Sequence, residues 1–164
     1  TSTEVQEDHE WGLDHGAWTI LKHAFPEADI PVFQMSIDYS KPASYHFALA
    51  KELQALRSKG VLIIGSGNIV HNLRAADFHT ITANAYPWAQ EFDEISKKKI
   101  VSREFTDLIN YEKLGQAALM SVPTPDHYFP MIYSLGLVRD KDEINFTYEE
   151  IQNASVSMRC FEMK

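Results

Sequence analysis

The stretch from Val32 to Ile64 constrains this chain most. Val32-Phe-Gln-Met-Ser-Ile37 reads as a strand, rich in β-branched and aromatic residues. Ser40 and Pro42 then open a long helix, with Tyr45, Leu49, Leu53 and Leu56 at i, i+4, i+8 and i+11, and Gly60 closes it. Val61-Leu-Ile-Ile64 follows as a continuous apolar run, the mark of a strand buried on both faces of its sheet. Strand, helix and strand in this order form a βαβ unit, so the two strands are predicted to be parallel.

The remaining patterns fit around that unit. Asp14 can cap a helix from Ala17 to Phe25, with Trp18, Leu21 and Phe25 on one face. Pro87 starts another, with Trp88, Phe92 and Ile95 on its buried face, and shorter helical patterns occupy about 102–109 and 111–120. Thr124-Pro125 reads as an N-cap and first helical residue of a helix carrying Tyr128, Ile132 and Leu135 and ending near Gly136. The tail alternates over Ile144–Tyr148 and Val156–Phe161, predicting an antiparallel hairpin at the sheet edge. The expected fold is α/β: a mainly parallel or mixed sheet flanked by helices, with a C-terminal antiparallel hairpin. Residues 1–164 form one domain, with no repeat or linker dividing them.

Composition narrows the partners. A net charge of −8 argues against nucleic acid, which needs a basic face. Lys97-Lys98-Lys99, the one cationic run, lies near the end of a helical pattern, where the helix dipole and solvent account for it. No apolar run approaches a membrane span and no signal peptide is visible. Cys160 stands alone, so no internal disulfide can form, and its alternating setting predicts a buried, inert thiol. Together these point to a reducing, cytoplasmic location.

Three histidines follow turn-forming residues and lead into helical patterns. They are His15 in Gly12-Leu-Asp-His-Gly16, His71 in Gly65-Ser-Gly-Asn-Ile-Val-His-Asn72, and His127 in Pro123-Thr-Pro-Asp-His-Tyr128. Loops outside the carboxyl ends of strands are where α/β proteins place reactive groups. Neutral imidazole serves both as a metal ligand and as a base near pH 7. His127, placed near the third residue of its helix, is expected to stay neutral beside the electropositive helix start; it either binds metal or packs locally. His71, past a tight turn and flanked by Asn72 and Arg74, is either reactive or structural. His15, between Asp14 and Gly16, either meets a ligand or bonds to backbone. His9, His23, His46 and His79 are expected to be exposed or packing residues. Gly65-Ser-Gly67 lacks the third glycine of a dinucleotide fingerprint, so a nucleotide site is not expected.

Five segments occur in one order: Gly12-Leu-Asp-His-Gly-Ala-Trp18, Pro31–Asp38, Gly65–Arg74, Tyr86-Pro-Trp88 and Pro123–Tyr128. From about residue 11 onward they resemble the DODA-type (4,5-DOPA dioxygenase-like) branch of the class III, LigB-type extradiol ring-cleavage dioxygenases. The resemblance implies a non-haem metal enzyme that opens a catechol ring, such as that of DOPA, with O2. It implies that His127 is a metal ligand, that His71 is either a fourth ligand or the catalytic acid/base, and that His15 faces the substrate. Asn72, Arg74 and Tyr128 lie beside these positions as candidate substrate contacts. Fe(II) is the expected metal, and zinc fits the same nitrogens in a purified sample. A non-catalytic ligand- or protein-binding domain on the same fold is the alternative.

The family's other ligands come from a His-Gly motif after its first strand and a Ser-Ala-His-Trp motif after its second, and neither occurs here. The chain thus resembles the C-terminal two-thirds of a longer enzyme, a truncated catalytic domain with half of the expected metal shell. Its sheet should be incomplete where the N-terminal strands are missing. Such an edge invites a homo-oligomer or a complementing N-terminal segment.

Overall fold

A methyl group is too large for Gly136, and that shapes the body of the molecule. A Cβ there would lie 2.6 Å from both the Phe47 carbonyl oxygen and the Ala50 side chain. The computed structural model describes residues 1–164 and takes this contact as the seam between two helices. Helix α2 (Ala43–Arg57) buries Ala43, His46, Leu49 and Ala50 along one stripe. Against it lies α6 (Phe129–Gly136), which buries Phe129, Met131, Ile132, Leu135 and Gly136. The stripe of α2 begins a turn earlier than Leu53 and Leu56, which are half-buried, because the small residues Ala43 and Ala50 admit α6 most closely.

A second layer is built on α3 (Pro87–Val101), α4 (Phe105–Ile109), a 3₁₀ turn (Tyr111–Leu114) and α5 (Gln116–Ser121). Pro87 takes the first turn of α3, where its missing N–H costs nothing. Phe92 and Ile100 of α3 are fully buried, in one core with Leu108, Tyr128 and Ile132. Gly115, at φ +101°, divides the predicted 111–120 helix into the 3₁₀ turn and α5. The cationic run behaves as a structural face: Lys97 pairs with Glu149, and Lys99 with Glu104 and Asp107.

All four strands lie in the tail. β1 (Ile144–Tyr148) pairs antiparallel with β4 (Cys160–Met163), with an irregularity between Phe146 and Tyr148. Inside that pair sits a shorter hairpin of β2 (Ile151–Gln152) and β3 (Val156–Ser157). Asn153 and Ala154, both at positive φ, make its turn. Arg159 anchors the hairpin to α3. Its guanidinium, 2% exposed, is bound by Asp93, Glu94 and Glu149, and Asp93 also accepts from the Ser157 hydroxyl at 2.6 Å.

The predicted parallel sheet is not present. Residues 32–37 and 61–64 form no strands, and every strand pair in the molecule is antiparallel. The apolar run Val61–Ile64 implied burial on two faces, yet Leu62 is 68% and Ile64 48% exposed. An apolar segment becomes a strand only when a neighbour completes its ladder, and no backbone hydrogen bond joins these segments to one. The fold class stands as mixed α/β with small antiparallel sheets. Helix α1 (His15–Ala24) starts two residues before the expected Ala17; Asp14 holds its N-cap position but its side chain makes no cap hydrogen bond, and none of the helix's residues is buried. The Asp14 carboxylate instead accepts from Gln34 at 2.7 Å and from the Trp11 indole at 3.2 Å. Cys160 is exposed, correcting the expected buried thiol. It faces outward because β4 is an outer strand of a two-stranded ribbon.

Candidate active site

The turn at 65–68 joins three distant parts of the chain. A Cβ on Gly67 would land on the carbonyl oxygen of His127, and one on Gly65 would lie 2.6 Å from that of Pro130. The two glycines therefore let this turn rest directly on the His127 loop and the first turn of α6. Their role is close approach between backbones, not a phosphate cradle. The Asn68 amide donates to the His127 carbonyl at 2.8 Å, and the Ser66 hydroxyl donates to the Gly16 carbonyl at 2.7 Å. One turn thus fixes both the His127 loop and the start of α1, next to His15.

The chain then runs through buried Ile69 and Val70 to His71. The His71 amide donates to Ser121 at 2.9 Å, and His71 bridges Val156 of β3. Held in this way, its ring stacks on His127 with centroids 3.6 Å apart and planes 13° apart. Burial lowers the pKa of His71, and the neighbouring His127 lowers it further. Burial also lowers that of His127; Asp126 opposes the shift and His15 adds to it. Both rings are accordingly neutral at neutral pH and carry free lone pairs. The Asp126 carboxylate lies 3.6 Å from the His127 Nε2. Burial raises its pKa, but hydrogen bonds from Thr124 and from its own backbone bring it below the usual value.

His127 does not sit in a helix. It belongs to a turn opened by Pro125, whose carbonyl accepts from Tyr128 at 3.0 Å and Phe129 at 2.8 Å, and α6 starts only at Phe129. Pro130 rather than Pro125 occupies the first helical turn. The neutral ring therefore comes from burial rather than from the helix dipole.

His71 and His127 are in direct contact, and His15 is exposed at the start of α1, which Ser66 ties to the same turn through Gly16. The other sequence candidates stand apart. Tyr128 is 1% exposed, and its hydroxyl donates to the Leu108 carbonyl at 3.0 Å among Phe92 and Tyr111. It is a core residue and not a substrate contact; its place in the Pro125 turn points it inward. Asn72 ties loops together, its amide donating to the Met120 carbonyl at 2.7 Å, while its Oδ1 is buried without a partner. Arg74 is exposed. His46 is fully buried, with its Nδ1 2.9 Å from the Tyr133 hydroxyl, whereas His9, His23 and His79 are exposed. Sequence reasoning missed Asn68, which touches His127 twice. The available signal was its place directly after the two glycines that bring the turn against that loop.

The donor chemistry suits a transition metal, but the donor count does not complete a site. No group of three or more His, Cys, Asp or Glu side chains is arranged to hold a metal ion. Catalytic centres typically take three protein ligands.

A family model described as the catalytic LigB subunit of aromatic ring-opening dioxygenase matches residues 1–159. The chain belongs to this LigB family, in its DODA-type branch. It is 42% identical over 151 residues to the 4,5-DOPA dioxygenase extradiol of Escherichia coli (strain K12), covering 90% of this chain and 55% of that protein. It is 37% identical over 133 residues to the 4,5-DOPA dioxygenase extradiol of Mirabilis jalapa, covering 81% of this chain and 49% of that protein. A crystal structure of an uncharacterized protein from Escherichia coli K12 superimposes with a TM-score of 0.86 at 40% identity, over 94% of this chain and 64% of that one. The chain thus spans about half the length of the curated relatives it matches. No helix is long and apolar enough to cross a membrane.

Proposed function

We propose that residues 1–164 are part of a metal-dependent extradiol dioxygenase that cleaves a catecholic, DOPA-like ring with O2 in the intact, cytoplasmic protein. The observation that carries this reading is the stacked, neutral pair of His71 and His127 beside His15, on loops 56 residues apart fastened by the 65–68 turn. Neutral imidazoles are what both ligation and proton abstraction require. In this reading His127 is a ligand, and Fe(II) is the expected metal, with zinc fitting the same donors. Its chemistry would be to hold catecholate and O2 together.

His71 acts as the general base, its unprotonated nitrogen accepting the proton of a catechol hydroxyl. The His127 ring packed on its face holds it in orientation, and burial keeps it neutral. His15, exposed at the start of α1, contacts the substrate.

The remaining ligands come from a complementing segment in place of a second copy of this chain. In support, the relatives are about twice as long, and Trp11, Phe33 and Leu62 are 72%, 77% and 68% exposed. Such a segment would also supply the neighbours that turn residues 32–37 and 61–64 into a parallel sheet.

The test is made on the intact protein loaded with Fe(II), following ring cleavage of DOPA and metal content by elemental analysis. His71→Gln should lower turnover by about 10²–10⁴-fold with metal retained. His127→Ala should lose the metal. Equal metal content in wild type and His127→Ala ends the ligand role, and metal loss in His71→Gln to the same degree makes His71 a further ligand.

A further inference from the structure

The Asn68 side chain has only one orientation that satisfies its surroundings. Its Nδ2 lies 2.7 Å from the Ser157 carbonyl oxygen, an acceptor that can take only the NH2 end of an amide. Its Oδ1 consequently faces the Nδ1 of His127, at 3.3 Å. An amide oxygen cannot donate, so that ring nitrogen has to carry the hydrogen. In a neutral imidazole the other nitrogen, Nε2, is then left as a bare lone pair.

We propose that Asn68 is a positioning residue that locks His127 in the Nδ1–H tautomer and reserves its Nε2 for a ligand. The tautomer rests on the Asn68 contact at 3.3 Å, within hydrogen-bond distance, against the Asp126 carboxylate 3.6 Å from Nε2, beyond it; its use as a metal donor rests on the function proposed above. The lock has two further supports. Asn68 is fixed at its backbone as well, through its amide on the His127 carbonyl at 2.8 Å. Ser157 is held in turn by its hydroxyl on Asp93 and by its amide on the Val70 carbonyl at 2.9 Å. The tail hairpin therefore sets the proton of a ring on a loop thirty residues upstream. Without Asn68, the Asp126 carboxylate, 3.6 Å from Nε2, would draw the hydrogen to the opposite nitrogen. Orientation of a ligating imidazole through its second nitrogen is a general device of metal sites.

The experiment uses the metal-free 164-residue chain, labelled with ¹⁵N, and reads long-range proton–nitrogen correlations of the His127 ring at neutral pH. Wild type should show Nδ1 protonated and Nε2 unprotonated. Asn68→Leu, which removes the acceptor, should shift the tautomer ratio toward Nε2–H by about three- to tenfold. Asn68→Asp, which keeps an acceptor for Nδ1 but has no hydrogen to give the Ser157 carbonyl, should retain Nδ1–H with its side chain released from Ser157. A wild-type ring protonated on Nε2, or one unchanged in Asn68→Leu, overturns the proposal. If Asn68→Leu does not fold, the wild-type and Asn68→Asp spectra still decide it. Titration of the intact protein, with its full ligand set, with Zn²⁺ reads the ligand role separately. A large shift of the His127 Nε2 signal supports it, and an unmoved signal in a ring with Nδ1–H refutes the ligand role while the tautomer lock stands.

Discussion

Helix α6 and helix α1 differ more in surroundings than in sequence. Both are short, both carry large apolar residues, and a candidate histidine lies at the start of one and just before the other. Of the eight residues of α6 five are buried, and of the ten of α1 none is. The difference lies in what each was given to pack on. Helix α6 meets α2 through Gly136 and sits over the core of Phe92, Leu108 and Ile132. Helix α1 and the segments at 32–37 and 61–64 are attached mainly by polar ties, such as Gln34 on Asp14 and Ser66 on Gly16. Amphipathic pattern alone does not bury a helix; a facing surface does.

Breaking the ordered half should give the largest effect. Removing one partner of a buried ion pair strands the other charge, at a cost of about 3–5 kcal/mol. Arg159→Ala leaves Asp93 without its guanidinium in an environment where that carboxylate is 8% exposed. Urea unfolding of Arg159→Ala should show a loss of that size, and a loss below about 1 kcal/mol would place the hairpin outside the cooperative body.

A smaller effect is expected from pH. Burial lowers the pKa of His46, His71 and His127 below the ordinary 6.5. The unfolded chain therefore binds protons on these rings first as pH falls through about 6.5, while the folded chain does not. Their contribution to stability is complete above that value and declines as pH drops toward the lowered folded-state values. Thermal midpoints should fall between about pH 7.5 and pH 5.5, with a shallower slope in a His71→Gln, His127→Gln double variant. An identical slope would show that the stacked pair is protonated in the folded chain.

The smallest effect belongs to the other half. Phe33 is 77% exposed, so Phe33→Ser should change the stability of this chain by no more than about 0.5 kcal/mol. The same substitution should weaken association with a complementing segment, measured by titration calorimetry. A loss of several kcal/mol from the isolated chain would mean that the two regions are equally packed.

The same contrast explains what was legible in the sequence. Periodicity located α2 and α3, Pro87 marked the start of α3, and alternation found β1, whereas the predicted second strand Val156–Phe161 is divided between β3 and β4 in two separate ribbons. Those signals are local, and their partners lie within the chain. Val32–Ile37 and Val61–Ile64 carried an equally clear strand signal but have no ladder partner here. At the site, residue type and turn context singled out His15, His71 and His127. They could not show that Tyr128 turns inward, because one residue along a turn reverses the direction of a side chain. Nor could they show Asn68 gripping Ser157, a contact across 89 residues that only the folded hairpin brings together.

Gly67 has no side chain with which to do chemistry, yet a single added methyl would collide with the backbone that carries His127. A saturation-mutagenesis screen for activity would therefore rank position 67 beside the histidines. Ranking residues by intolerance would label it catalytic, when what the position supplies is the lack of a side chain in space that the His127 carbonyl already fills.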